Sequence, residues 1–198
     1  MACYRCVVAA AVLSCFVAGD AVAQETEALT VVVAILDSAA VPADELMTAR
    51  TAAGAAFARA GMVLRWGGTG GSVSCQPGAS APFCVQVLLR PRNPQSAPGA
   101  RRIMGMTLAA DHERAVLSLY FDAVSDVARR YGFPRGEVLG LALTHEMGHV
   151  LLPPPSHSAT GIMQPSWEGD DLRHILAGDA AFTEQQALAI RARLASRR

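Results

Sequence analysis

Between Pro134 and Pro153-Pro154-Pro155 the chain spells a single helix with an apolar body and two histidines on one face. The run Val138-Leu139-Gly140-Leu141-Ala142-Leu143 is apolar throughout, which suits a helix buried in a core. His145-Glu146-Met147-Gly148-His149 follows directly. Residues four apart on a helix share a face and stand about one turn apart, so both imidazoles can reach one metal ion. A glutamate beside the first histidine can then take a proton from water activated at that ion. The three prolines stop the helix, and a third histidine, His157, comes just after the stop.

This spacing predicts a Zn²⁺ site held by His145, His149 and His157, with a fourth position open to water and Glu146 as general base. Glu168, Asp170 and Asp171 are the other candidates for the third ligand. The plainer reading of His145 and His149 is a pair of hydrogen-bonded helix histidines, with Glu146 a structural carboxylate. An unpaired carboxylate among apolar residues is costly, which weighs against that reading. His112 and His174 are expected at the surface. Trp167 suits either a core or a substrate pocket.

The start of the chain has the form of an export signal. Arg5 supplies a short positive region, Val7 to Val17 is mostly apolar, and Ala21-Val22-Ala23 has the small-x-small pattern of a cleavage site. Residues 1–23 are therefore expected to be removed, leaving 24–198 as one catalytic domain that is exported to the periplasm or secreted. The apolar run is too short for a comfortable membrane span. A lipid anchor at Cys15 is the less favoured alternative, because Leu13 fits a lipoprotein box poorly. Cleavage after Ala23 also removes Cys3, Cys6 and Cys15. Cys75 and Cys84 remain, and in an exported chain two cysteines so close in sequence are expected to form a disulfide. A pair of free thiols is the alternative. Formal net charge is zero with no long charge run, so nothing favours nucleic acid or a charged membrane surface as partner.

The remaining pattern predicts an α+β domain. Leu29 to Leu36 reads as a buried strand, and a helix follows from Pro42 to about Ala60, stopped by Gly61. Strands are expected at Met62–Trp66, Phe83–Arg90, Arg102–Ala109 and Ala115–Phe121. Asp122 can cap a short helix through Arg130, and Pro134 opens the histidine helix. Thr183 and Gln186 have capping-box spacing for a last helix ending near Ala195. Together these predict one twisted sheet backed by two main helices.

The histidine segment resembles the metzincin class of zinc endopeptidases. The likeness rests on His145-Glu146-Met147-Gly148-His149, on His157-Ser158, and on Gly161-Ile162-Met163-Gln164-Pro165, which is similar to the Met-turn of matrix metalloproteases. Gly105-Met106-Thr107-Leu108-Ala109 resembles the edge strand that pairs with extended substrate in that class. The resemblance implies a zincin-like domain with a mostly parallel sheet, a Met-turn methionine at Met163, a peptide or protein substrate, and peptide hydrolysis by zinc-activated water. The chain departs from the class pattern His-Glu-x-x-His-x-x-Gly-x-x-His. Leu152 stands at the glycine position, Pro155 at the third histidine, and His157 comes two residues later. No tyrosine follows Met163 closely, so no second oxyanion donor is assigned. Two other functions use the same residues: hydrolysis of a non-peptide amide, and a zinc-containing binding protein without turnover.

Overall fold

The computed structural model describes residues 29–67, 82–94, 103–179 and 182–196. Residues 1–23, Cys15 and Cys75 lie outside these, as does part of the loop expected between Gly67 and Pro82. Cys84 is disulfide-bonded.

Five strands form one sheet: β1 (Leu29–Asp37), β2 (Met62–Trp66), β3 (Phe83–Arg90), β4 (Gly105–Ala110) and β5 (Arg114–Tyr120). Their order across the sheet is β2-β1-β3-β5-β4. The first four strands in that order are parallel, and β4 runs antiparallel to β5 at the edge. The period of two along each strand decides which side is buried. Val31, Val33, Phe83, Val85, Val87, Leu89, Ala115, Leu117 and Leu119 are all nearly inaccessible. The register sets them in rows, with Val33 beside Val85 and Val85 beside Ala115. One face of the sheet is therefore a continuous apolar surface that a helix layer must cover.

Two helices cover it. α1 (Ala43–Arg59) buries Ala49, Ala53, Ala56 and Phe57, and α3 (Arg135–Leu151) is buried over most of its length. They pack tightly because α3 carries Gly140 where they cross. A Cβ there would stand 2.9 Å from the Ala49 carbonyl oxygen and 2.8 Å from the Ala52 Cβ. Backbone cannot yield as a flexible side chain can. Gly140→Val is accordingly expected to destabilise the domain by about 1–3 kcal/mol, the usual range for overpacking, read as a lower urea midpoint without a change of slope.

The smaller elements are α2 (Phe121–Tyr131), α4 (Gly169–His174) with a π-type continuation over Ile175–Asp179, and α5 (Glu184–Ala195). Thr183 and Gln186 close the expected capping box on α5. Asp122 does not cap α2. It is the second helical residue, and its carboxylate accepts the Ala123 N–H at 2.7 Å while Tyr120 holds the cap position. α4 was not expected from the sequence. It begins with a reciprocal box between Glu168 and Asp171, a glutamate in the place where serine or threonine is the usual signal. Among the described residues no helix is long and apolar enough to cross a membrane.

Candidate metal centre

α3 delivers His145, Glu146 and His149 to the end of the sheet where β4 forms the edge. The helix stops in an informative way. Leu152, its C-terminal cap, is extended at φ −94° and ψ 147°. A left-handed turn here would favour glycine, but this backbone is open to leucine. The cause is Pro153, which pushes the residue before it out of the helical region. The chain thus leaves α3 by an extended path, and a histidine two residues beyond the usual spacing returns to the site.

His145, His149 and His157 each place one ring nitrogen within 4.8 Å of the others'. His145 Nε2 and His149 Nε2 are 3.0 Å apart. The ring centroids are separated by 4.6, 4.7 and 5.5 Å for the 145–149, 149–157 and 145–157 pairs. Tetrahedral zinc with bonds of about 2.0–2.1 Å sets its ligands roughly 3.3 Å apart, so the donor set fits such an ion. His145 and His149 are half-buried and His157 is exposed.

The far nitrogens are also held. His145 Nδ1 lies 2.8 Å from the Ile162 carbonyl oxygen. A carbonyl only accepts, so Nδ1 carries the proton, which leaves the lone pair of the neutral ring on Nε2, facing the other histidines. His149 Nδ1 lies 2.6 Å from Ser156 Oγ. Burial holds His145 below the ordinary histidine range. Burial also pushes His149 down to about 4, with the charges of His145 and His157 adding to the effect. Neutral imidazole is the form that ligates a metal.

The Ile162 carbonyl belongs to a tight turn. Gln164 N–H donates to the Gly161 carbonyl at 3.3 Å, and Ser158 N–H donates to the Met163 carbonyl at 3.0 Å. Met163 is fully buried. Its side chain fills the space that Gly148 leaves on α3, where a Cβ would come within 2.3 Å of the sulfur. Gly148 thus lets this turn close against the helix between the two histidine positions.

Glu146 sits across from β4. A Cβ on Gly105 would fall 2.5 Å from Glu146 Cγ and 2.8 Å from Glu146 Cδ, so the glycine makes room for this carboxylate at the start of the edge strand. Glu146 is only 9% exposed, and burial pushes its pKa up to about 7. It opens onto a cleft of about 380 Å³ whose walls include Met104, Val127, Ala142, Gln164, Ser166 and Trp167. Trp167 is buried and meets the His145 ring edge to face, with centroids 5.3 Å apart.

The competing ligands are engaged elsewhere. Glu168 and Asp171 cap α4, Glu168 also accepts from the Tyr131 hydroxyl at 3.2 Å, and Asp170 pairs with Arg173. His112 and His174 are exposed, as expected. The sequence places Gly105 on the edge strand but gives no sign of its packing against Glu146, and it does not point to Ser156 or the Ile162 carbonyl. A carbonyl has no sequence signal at all, and a serine one place before a ligand histidine is too common to stand out. Comparisons with protein-family models, with curated proteins and with solved structures find no match to this chain.

Proposed function

We propose that the chain is an exported zinc-dependent endopeptidase of metzincin-like type, with His145, His149 and His157 as ligands, Glu146 as general base and Met163 as the Met-turn residue. The observation that carries this reading is the placing of Glu146. It lies beside three converging imidazoles and against an edge strand whose outer side has no strand partner among the described residues. A metal-binding site alone needs no such carboxylate. An edge strand alone needs no metal.

Bound Zn²⁺ would supply Lewis acidity toward a scissile carbonyl and an attacking water. The protein's own residues supply the rest. The three imidazoles would fix the ion's position, and burial favours the neutral form of His145 and His149. A cation beside Glu146 favours its ionised form over the neutral one that burial favours, so the carboxylate can accept a proton from the attacking water. The same oxygen then returns a proton to the leaving amine. Substrate backbone pairs with β4 as an added strand, which brings its carbonyl to Glu146 at Gly105. Trp167, Val127 and Ala142 then face a substrate side chain across the cleft.

The test is cleavage of unstructured peptides and denatured proteins by the purified chain. Hydrolysis is expected, lost on treatment with a zinc chelator and restored by stoichiometric Zn²⁺. Zinc bound at one equivalent with no peptide cleaved would overturn the peptidase reading and favour a non-peptide amide substrate or a binding role.

A further inference from the structure

His149 is tied to the last helix by a path that the histidine pattern does not contain. Its Nδ1 contacts Ser156 Oγ at 2.6 Å, and the Ser156 carbonyl accepts from Gln186 Nε2 at 3.1 Å. Gln186 is also the capping-box residue of α5. Its Oε1 accepts the Thr183 N–H at 3.0 Å, and its own N–H donates to Thr183 Oγ1 at 3.2 Å. The two ends of one carboxamide thus have separate tasks, the oxygen closing the helix and the nitrogen holding the loop. The helix start is itself anchored, since Phe182 is buried and its ring stacks at a tilt on Phe57 with centroids 5.1 Å apart.

We infer that Ser156 and Gln186 are positioning residues for the metal centre, and that α5 is the anchor from which His149 and the His157 loop are held. This rests on the three-histidine reading above. A histidine ligand needs a partner on its far nitrogen to fix ring orientation and tautomer. Ser156 gives His149 that partner and is also the chain neighbour of His157, so one residue serves two ligands. The need is acute here because Pro153, Pro154 and Pro155 have no backbone N–H with which to fasten the loop. Ser156 is the first residue after them that a side chain from the core layer holds. The longer path from α3 to the third histidine is kept in place from outside, by α5.

Zinc affinity of the full chain, measured by competition with a chromogenic chelator, tests this together with melting of the metal-free protein. Ser156→Ala is expected to weaken zinc about 10–100-fold, the range for loss of a supporting hydrogen bond, and Ser156→Thr, which keeps the hydroxyl, should bind nearly as the parent does. Gln186→Glu keeps the acceptor that the capping box uses but loses the donor to Ser156. It should weaken zinc about 10-fold or more while lowering metal-free melting by no more than the few degrees that the loss of one hydrogen bond accounts for. Thr183→Ala should do the reverse, lowering the melting temperature with zinc affinity kept. Parental affinity in both Ser156→Ala and Gln186→Glu would overturn the inference, as would equal weakening in Gln186→Glu and Thr183→Ala, which would trace the effect to a loosened helix. A parent chain that binds no zinc would instead overturn the metal-centre reading itself.

Discussion

Glu146→Gln is expected to abolish peptide hydrolysis while leaving zinc content and fold intact. The amide has nearly the size of the carboxylate, so the close contact with Gly105 survives. What is lost is a proton acceptor. Among the residues lining the cleft Glu146 is the carboxylate, and Gln164 and Ser166 beside it are not bases at neutral pH. General-base catalysis accounts for about 10²–10⁴ in rate, and kcat should fall by at least that. The metal-free protein gives an independent readout. Burial raises the Glu146 pKa from 4.5 to about 7, so between those values the folded chain holds a proton that the unfolded chain has released. Stability of the parent therefore falls as pH rises through that window. Glutamine carries no charge to desolvate, so the variant lacks this term. Relative to the parent it should gain on the order of 1–3 kcal/mol between pH 4.5 and pH 8. A variant that cleaves as fast as the parent would remove Glu146 from the mechanism. A variant whose stability follows the parent's at every pH would mean that the carboxylate is not buried as described.

The elements that were legible in the sequence are those whose signal is local. The apolar, β-branched run of β1, the Thr183–Gln186 box and the apolar body of α3 each declare themselves within a dozen residues, and the structure places them within a residue or two of expectation. The histidine pair was legible for the same reason, since four-residue spacing on a helix is a local rule. His157 was harder. Its spacing departs from the familiar pattern, and only the extended geometry at Leu152 shows how a proline can do what glycine does elsewhere. What stayed hidden depends on contacts far apart in the chain. Gly105 reads only as the start of an edge strand until Glu146, 41 positions along the chain, is seen against it. Gly140 reads as a weak helix residue until Ala49 stands behind it. Glu168 and Asp171 looked like possible metal ligands because their preference for each other across a short helix start has no strong sequence signature.

His157→Ala should strip the protein of zinc without harming the metal-free fold. The side chain is exposed, and the loop around it is held through Ser156, Ser158 and the Met163 carbonyl rather than through the ring. Exposed substitutions of this kind usually change stability by no more than about 0.5 kcal/mol, so urea unfolding in the presence of chelator should match the parent. Zinc binding should differ greatly. The ion loses one of three protein donors, and the loss in affinity should exceed the roughly 10–100-fold that removal of a supporting hydrogen bond causes. The gap also appears in stability. Zinc at 100 times its dissociation constant stabilises the parent by about 2.7 kcal/mol, because it binds the folded chain and not the unfolded one. At that same free zinc concentration His157→Ala should gain little. His112→Ala and His174→Ala remove exposed histidines outside the cluster and should bind and melt as the parent does. The exposure of His157 makes the comparison decisive, since a buried ligand could lose its metal merely by unfolding. Zinc retained at parental affinity in His157→Ala would mean that His145 and His149 hold the ion with some other third donor. The extended exit from α3 would then serve the site only through Ser156 and its contact with His149.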